Sequence, residues 1–265
     1  MITETPRVQD RSYLRVSNAW RVLQAIRTGG VTSRTRIAVE TGLTLTTVHR
    51  ITADLRRRRL ILRAGMSAKG AVGRPSALYR FNSAAGHVVG IDVGNETTRA
   101  VAANLGGEVL ARASHPTASV EADLVGGVER LVGEVTEAAS LSSTALVALG
   151  VGVPAVTETG GLIVRASVHH PWEGLELGGQ LRRILGCEVI VAQDDHLAAL
   201  AELHRGACMG LRNAIVLNMG KGIGAGLITD GTVYYGSRAA AGRLAWIPVP
   251  YEGTGGDALV PLASC

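Results

Sequence analysis

Apolar residues recur at helical spacing near the start of the chain. The face of a first helix is formed by Ala19, Val22, Leu23 and Ile26, at the i, i+3, i+4, i+7 positions of an amphipathic helix. Ser33 is placed to cap a second helix that runs to Thr41, and Gly42 supplies a tight turn. Thr44 starts a third helix whose apolar face consists of Leu45, Val48, Ile51 and Leu55. A short helix, a glycine turn and a further helix predict a helix-turn-helix.

The pattern changes from helix to strand after residue 59. Residues 60–62 and 78–81 read as two strands, and the glycine-rich residues 65–70 read as the turn after the first. This hairpin predicts a wing beside the third helix. Arg74 lies between a glycine and a proline, in an extended segment suited to a narrow minor groove.

The polar face of the third helix carries side chains that can read DNA. The predicted base and backbone contacts are Thr44, Thr46, Thr47, His49 and Arg50. The predicted phosphate contacts are Arg56, Arg57, Arg58 and Arg59 at the end of this helix, and Arg74 on the wing is the predicted minor-groove contact. The competing interpretation is a small helical bundle whose arginine run is simply solvated.

Charge separates the chain into two parts. Residues 1–82 hold 16 basic and 4 acidic side chains, whereas residues 83–265 hold 11 basic and 18 acidic ones. A basic head favours a polyanionic partner, so double-stranded DNA is the expected partner of residues 1–82. Residues 83–265 form a second predicted domain with a different task.

The second domain alternates strands and helices. Strands are predicted at 87–93, 98–104, 108–114, 146–151, 188–191, 214–217, 224–228 and 233–235, and helices at 120–139, 175–185 and 194–205. A β-β-β-α-β-α unit followed by a second β-β-β predicts a two-lobed α/β fold, in which a nucleotide sits between the lobes.

Two glycine loops fall where such a fold places phosphate groups. The predicted phosphate-loop residues are Asp92, Gly94, Gly220, Gly222 and Gly224. Glycines let backbone N–H groups approach phosphate oxygens closely. The alternative is a pair of ordinary hairpin turns.

The chain resembles the ROK family of repressors and sugar kinases. The resemblance lies in residues 33–60 and 73–75 of the head, and in the motifs at 90–94, 150–154, 171–174, 193–194 with 201–202, and 220–226. It implies an N-terminal winged helix-turn-helix followed by an actin-like, hexokinase-like α/β domain. The second lobe is expected to be incomplete, through a truncated gene, a fragment or a reduced lobe.

The resemblance places a catalytic base at Asp194, but the residue types around it differ from the family's. Gln193 replaces an asparagine, and His169 stands at a sugar-contacting asparagine. Arg243 stands where the resemblance implies a glutamate that holds sugar hydroxyls, and Glu96 replaces a threonine of the first phosphate loop. From the residues alone, Asp194 reads equally well as a helix N-cap. The predicted ligand-binding residues are therefore His169, Gln193, Asp194 and Arg243, with Asp194 as a vestigial base.

No metal or cofactor is expected. The resemblance implies a zinc-ligating histidine where this chain has Trp246, and residues 251–257 contain no cysteine or histidine. A tryptophan ring cannot ligate zinc. The adjacent His169 and His170 are expected to have a surface or pocket role rather than a metal-binding one.

The expected protein is a transcriptional regulator, usually a repressor, that responds to a sugar or sugar phosphate. It is expected to act as a homodimer, because a winged helix alone reads one half-site. The cytoplasm is the expected location, since the cysteines are dispersed and neither a signal peptide nor a membrane span is predicted. An ATP-dependent sugar kinase with a DNA-binding arm is the alternative. A decayed regulator that binds DNA without sensing a ligand is a third interpretation.

Overall fold

The computed structural model describes residues 11–66, 76–158, 160–166, 170–220, 222–250 and 259–261. The chain forms two compact units. The first comprises residues 1–85 with 105–107, and the second comprises residues 86–104 with 108–265. Within the described residues, no helix is long and apolar enough to cross a membrane.

The first unit combines three helices with a small antiparallel sheet. The helices are α1 (Arg11–Gly29), α2 (Arg34–Thr41) and α3 (Leu45–Arg57). The strands β1 (Thr32–Ser33), β2 (Ile61–Met66) and β3 (Ala77–Phe81) form a sheet in the order β1-β3-β2. The core between them is built from Val22, Ile26, Ile37, Val48, Ile51, Leu55, Ile61 and Tyr79.

Local capping explains where α2 and α3 begin and end, and it confirms the predicted turn. The Ser33 hydroxyl accepts a hydrogen bond from the N–H of Arg36, and the Thr44 hydroxyl accepts one from the N–H of Thr47. Gly42 ends α2 in the left-handed region, at φ 67°. The prediction was wrong for Leu45, which is 55% exposed because the buried face of α3 begins one turn later, at Val48.

A five-stranded sheet organises the second unit. Its strands are β4 (His87–Val93), β5 (Thr97–Asn104), β6 (Val109–Pro116), β7 (Leu146–Val153) and β10 (Glu188–Gln193). The order is β10-β7-β4-β5-β6, with the first three strands parallel and β4-β5-β6 an antiparallel meander. Buried residues of this sheet pack with those of helices α5 (Leu124–Ala138) and α6 (Leu177–Leu185).

The helix predicted at 120–139 is two helices in the structure. A short helix α4 (Ala118–Glu121) precedes α5, and Asp123 between them leaves the helical conformation at φ −140°. The Asp123 carboxylate accepts from the N–H of Gly126 and so caps α5. The two helices meet closely at Gly127, since a Cβ there would lie 2.6 Å from Val120 Cβ.

Three smaller sheets lie in the described part of the second unit beside the five-stranded one. The hairpin β8 (Ala155–Thr157) and β9 (Ile163–Ala166) was not predicted. Helix α7 (Asp194–Arg205) packs against the antiparallel sheet of β11 (Ala214–Met219), β12 (Ile223–Thr229) and β13 (Thr232–Tyr234). A final pair is formed by β14 (Pro248–Pro250) and β15 (Leu259–Pro261).

Candidate functional site

Helix α3 presents a polar face to solvent. Thr46, His49 and Arg50 are exposed on it, while Thr52 on the opposite side is fully buried. Thr44 and Thr47 are engaged with each other, since their hydroxyls are 2.9 Å apart. The candidate base-reading side chains are therefore Thr46, His49 and Arg50, with Thr44 and Thr47 fixing the first turn of the helix.

The arginine run at the end of α3 is partly engaged within the helix. Asp54 forms ion pairs with Arg57 and, at 3.0 Å, with Arg58. Burial tends to raise the pKa of Asp54, but both arginines outweigh it and hold this pKa below its usual value. Arg56 is exposed and available to a phosphate group. Arg74 lies outside the described residues, so its predicted role on the wing stays a prediction.

A carboxylate site lies where the three parallel strands β4, β7 and β10 end. Asp92 aligns with Gly152, and Gln193 aligns with Val153. Asp194 follows directly as the first residue of α7. The backbone of β7 approaches it closely, because a Cβ on Gly152 would lie 3.8 Å from the Asp194 Cα. The carboxyl ends of parallel strands are the usual ligand position in open α/β sheets.

Asp194 is electrostatically unusual. Burial, followed by the charges of Asp195 and Asp92, raises its pKa to about 7, against an opposing hydrogen bond from the Asp195 N–H. A carboxyl group with this pKa is both a proton acceptor and a proton donor near neutral pH. The alternative interpretation of Asp194 as the N-cap is wrong, since the cap residue of α7 is Gln193. The role of Asp194 as a vestigial base stays a prediction.

Asp195 forms the centre of a hydrogen-bond network that sequence reasoning missed. Its Oδ2 accepts from the side-chain amide of Gln193 at 2.9 Å, and its Oδ1 accepts from that of Asn218 at 3.1 Å. Three elements are thereby joined at one carboxylate, which is 8% exposed. The acidic pair that opens α7 was the available signal, but the sequence pattern did not show which carboxylate turns inward.

The second glycine run is shaped partly by α7. A Cβ on Gly224 would lie 2.0 Å from Asp195 Oδ2, and one on Gly226 would lie 2.3 Å from Ala199 Cβ. Close packing accounts for both glycines without a phosphate group. Around Gly220 and Gly222 a Cβ would meet nothing within 4 Å among the described residues. A phosphate role for these loop positions remains a prediction.

The first glycine loop is a tight turn between β4 and β5. The Gly94 N–H donates to the Thr97 carbonyl at 3.2 Å, and a Cβ on Gly94 would lie 2.7 Å from that oxygen. Thr117 closes the turn by donating to the Gly94 carbonyl at 2.7 Å. Asp92 is exposed and lies 3.6 Å from an Arg99 nitrogen. Burial nevertheless outweighs Arg99 and raises the pKa of Asp92.

Hydrogen bonds to β12 and α7 fix the turn that precedes Arg243. The Gly242 carbonyl accepts from the Ala225 N–H at 2.8 Å, and His196 Nε2 donates to the Ala241 carbonyl at 3.0 Å. Gly242 has φ 81°, and a Cβ there would lie 1.6 Å from the Ala225 oxygen. Burial and then Arg165 lower the pKa of Arg243, whereas Asp195 and Asp194 raise it. The influence of Arg165, which lies on β9, was not predicted.

Most residues that bear on the expected absence of a metal lie outside the described residues, so this expectation stays a prediction. His169 lies outside the described residues, as do residues 251–257. Within the described ranges, no group of three or more His, Cys, Asp or Glu side chains could hold a metal ion. Trp246 stands in place of the implied ligand, so the chemistry of the chain does not fit zinc there.

Comparison with known proteins identifies the second unit. The model of the ROK family matches residues 88–257. The chain belongs to the ROK family. A solved structure described as a ROK family transcriptional regulator, homologue of the E. coli MLC protein, superposes with a TM-score of 0.77 at 25% identity, covering 95% of this chain and 64% of that chain. The ROK domain therefore has the actin-like α/β fold of the family.

Two curated relatives of the ROK chain differ in how far the similarity extends. The xylose repressor of Caldicellulosiruptor bescii is 24% identical over 245 residues, which cover 92% of this chain and 61% of the repressor. The glucokinase of Halalkalibacterium halodurans is 28% identical over 172 residues, which cover 62% of this chain and 51% of the kinase. The chain thus spans about half to two thirds of the length of these relatives.

Proposed function

We propose that the protein is a DNA-binding transcriptional repressor whose activity responds to a sugar or a sugar phosphate. One observation carries this proposal. The similarity to the xylose repressor covers 92% of the chain and so has to include most of the first unit, whereas the similarity to the glucokinase covers 62%. A unit shared with a repressor and carrying an exposed polar helix supports DNA binding as its task.

The first unit is the proposed winged helix-turn-helix. Helices α2 and α3 with the Gly42 turn form the helix pair, and β2 and β3 form the strands of the wing. Helix α3 would enter the major groove, where Arg50 can donate two hydrogen bonds to a guanine. The exposed Arg56 would bind phosphate groups of the DNA backbone. Arg57 and Arg58 would bind such groups as well, once phosphate replaces Asp54 as their ion-pair partner.

The proposed partner is double-stranded DNA bound by a homodimer. A single winged helix reads one half-site, so two copies imply an inverted repeat with half-sites about one helical turn apart. Selection of bound fragments from a random DNA library tests this directly. An inverted repeat is expected. Absence of any enriched motif contradicts the proposal.

The proposed location is the cytoplasm.

Sugar kinase activity is proposed to be absent. A base at Asp194 alone would accelerate phosphoryl transfer only about 10²–10⁴-fold. The remaining acceleration requires the sugar hydroxyl to be aligned with the γ-phosphate and the charge of that phosphate to be neutralised. Arg243 replaces a hydroxyl acceptor with a cation, and Glu96 places a carboxylate at the first loop. No ADP release above background is expected across a panel of glucose, mannose, N-acetylglucosamine and xylose. Turnover that vanishes in Asp194→Ala would instead make the kinase the leading function.

A further inference from the structure

Strand β11 carries apolar side chains on both of its faces. Ala214 and Val216 pack against the small core beneath α7. The alternate residues form an outer row on the other face, where Ile215, Leu217 and Met219 are 66%, 56% and 75% exposed. A strand with one solvated face normally alternates apolar with polar residues, whereas apolar residues on both faces are typical of strands buried on both sides. The outer row therefore has the composition of a buried surface.

The neighbouring strands extend this apolar surface. Ile215 lies opposite Leu227 on β12, and Leu227 lies opposite Tyr234 on β13. Residues directly opposite each other share one face of a sheet, and the Tyr234 side chain is 51% exposed. A contiguous exposed apolar patch of this kind marks an interaction surface more often than scattered apolar residues do.

Strand β11 is also an unprotected edge. The sheet order is β11-β12-β13, and no strand pairs with the other edge of β11 in the described part of the chain. Proteins usually protect such an edge with a charge, a proline or a bulge. Residues 214–219 contain no charged residue and no proline, and their register with β12 runs without a shift.

The edges of the five-stranded sheet differ from β11 in this respect. Its edge strands are β10, which begins with Glu188, and β6, which contains Arg112 and ends at Pro116. The lack of such residues on β11 is therefore particular to that strand, and it leaves β11 open to pairing.

A second copy of the chain fits this edge. Two β11 strands can pair antiparallel about a two-fold axis. Because side chains alternate between faces, the outer rows of the two copies adjoin when the axis passes through a residue of the strand. With the axis at Leu217, the two Leu217 side chains meet, and Ile215 lies opposite Met219 of the second copy. No like charges come together, because β11 has none and the nearby Arg212 is paired with Asp230 at 2.8 Å.

We propose that two copies of the chain associate through antiparallel pairing of their β11 strands, centred on Leu217. The proposal deepens the homodimer of the proposed function and rests on it, because a dimer that reads an inverted repeat has the same two-fold symmetry. A two-fold contact closes on itself, so the expected assembly is a dimer and not a longer array.

Sedimentation velocity of the full chain over a range of concentrations tests the interface. The original chain is expected to form a dimer. Leu217→Lys should weaken dimerisation about tenfold or more, because the change enters the interface twice and places two like charges opposite each other. Ile190→Lys is the matched control and should leave the dimer unchanged, since Ile190 is 59% exposed on the edge strand β10. A monomer at every concentration, growth beyond the dimer, or equal dimerisation of the two variants overturns the proposal.

Crosslinking tests the register without adding a charge. Leu217→Cys places two thiols on the proposed axis, where opposite Cβ atoms lie about 4.5–5.5 Å apart. A short bismaleimide should join two copies of this variant through both thiols. The original chain and Ile190→Cys should show only the background from the native cysteines. Thermal unfolding checks that each variant is folded. Crosslinking of Leu217→Cys at no more than the level of Ile190→Cys contradicts the pairing at Leu217.

DNA binding is measured on the same preparations by mobility shift. A dimer that binds the selected inverted repeat and is insensitive to Leu217→Lys refutes this inference and leaves the proposed function standing. A dimer that depends on Leu217 but binds no DNA refutes the proposed function and leaves the β11 contact standing.

Discussion

Helices α3 and α7 both carry polar residues in their N-terminal halves, but they place them in opposite environments. In α3, Thr46, His49 and Arg50 are exposed and have little to do with the stability of the first unit. In α7, Asp195 and His196 are buried, and Gly224 and Gly226 of β12 are free of side chains so that the helix can approach. The first arrangement suits a large external partner, and the second suits a small ligand enclosed by the chain.

Because of this difference, variants in the two helices should affect binding and folding stability differently. Removing an exposed polar side chain costs little in folding, whereas a change around a buried charge alters folding and binding together. Variants in α3 are therefore expected to lose DNA affinity at unchanged melting temperature. Variants around α7 are expected to change melting temperature as well as ligand affinity.

The largest expected effect is that of Gly242→Ala. At φ 81° an alanine is strained, and its Cβ would lie 1.6 Å from the Ala225 oxygen, so the turn before Arg243 has to move. Unfolding measurements should show a loss of about 3 kcal/mol or more. Gly133→Ala is the control: it lies inside α5 with nothing within 4 Å of a Cβ, and alanine favours helix by about 1 kcal/mol. Equal stability of the two variants contradicts the packing of this turn.

Asp194→Asn should change the pH dependence of stability. The folded chain holds the Asp194 proton up to a pKa of about 7, whereas an unfolded aspartate releases it near pH 4. The neutral form therefore stabilises the folded state fully below about pH 4, and this contribution is lost as the pH rises through about 7. At pH 8 the asparagine variant should be more stable than the original by on the order of 1–4 kcal/mol, with little gain at pH 4. A pH-independent difference between the two proteins contradicts the raised pKa.

Arg50→Ala tests the role of the exposed polar face of α3. If Arg50 contacts a base, its loss should weaken specific DNA binding by roughly 1–3 kcal/mol at an unchanged melting temperature. Arg27→Ala is a matched control on α1, where Arg27 is exposed and bonded to Gln24 at 3.2 Å. Fluorescence anisotropy on the selected DNA fragment measures both. Similar losses in the two variants would mean that Arg50 acts only through its charge.

Periodicity and caps predicted much of the fold. The turn from Thr41 to Thr44 was placed correctly, since Ser33, Gly42 and Thr44 act through local backbone hydrogen bonds that a short sequence window contains. The helix break at Asp123 was missed because apolar residues continue on both sides of it. The hairpin β8–β9 was missed because its strands are only three and four residues long.

The candidate ligand site was only partly visible in the sequence. The resemblance pointed to Gln193, Asp194 and Arg243, and in the structure the charge of Asp194 contributes to raising the pKa of Arg243. Asp195 and Asn218 join Gln193 through hydrogen bonds from two further elements, which no local pattern links. The glycines at 224 and 226 looked like a phosphate loop, and only the contact with α7 reveals their packing role.

The most direct test of the account is DNA binding by the full chain with and without ligand. The fragment selected from the random library is titrated at several salt concentrations, with and without each sugar of the panel of glucose, mannose, N-acetylglucosamine and xylose, and with and without glucose 6-phosphate. Affinity should fall steeply with salt, because each neutralised phosphate releases about 0.9 of a counterion. The ligand should shift DNA affinity in the original protein but not in Arg243→Gln, whose affinity without ligand should be unchanged. Salt-independent binding, or a DNA affinity that no sugar in the panel alters, contradicts the account of a ligand-responsive repressor.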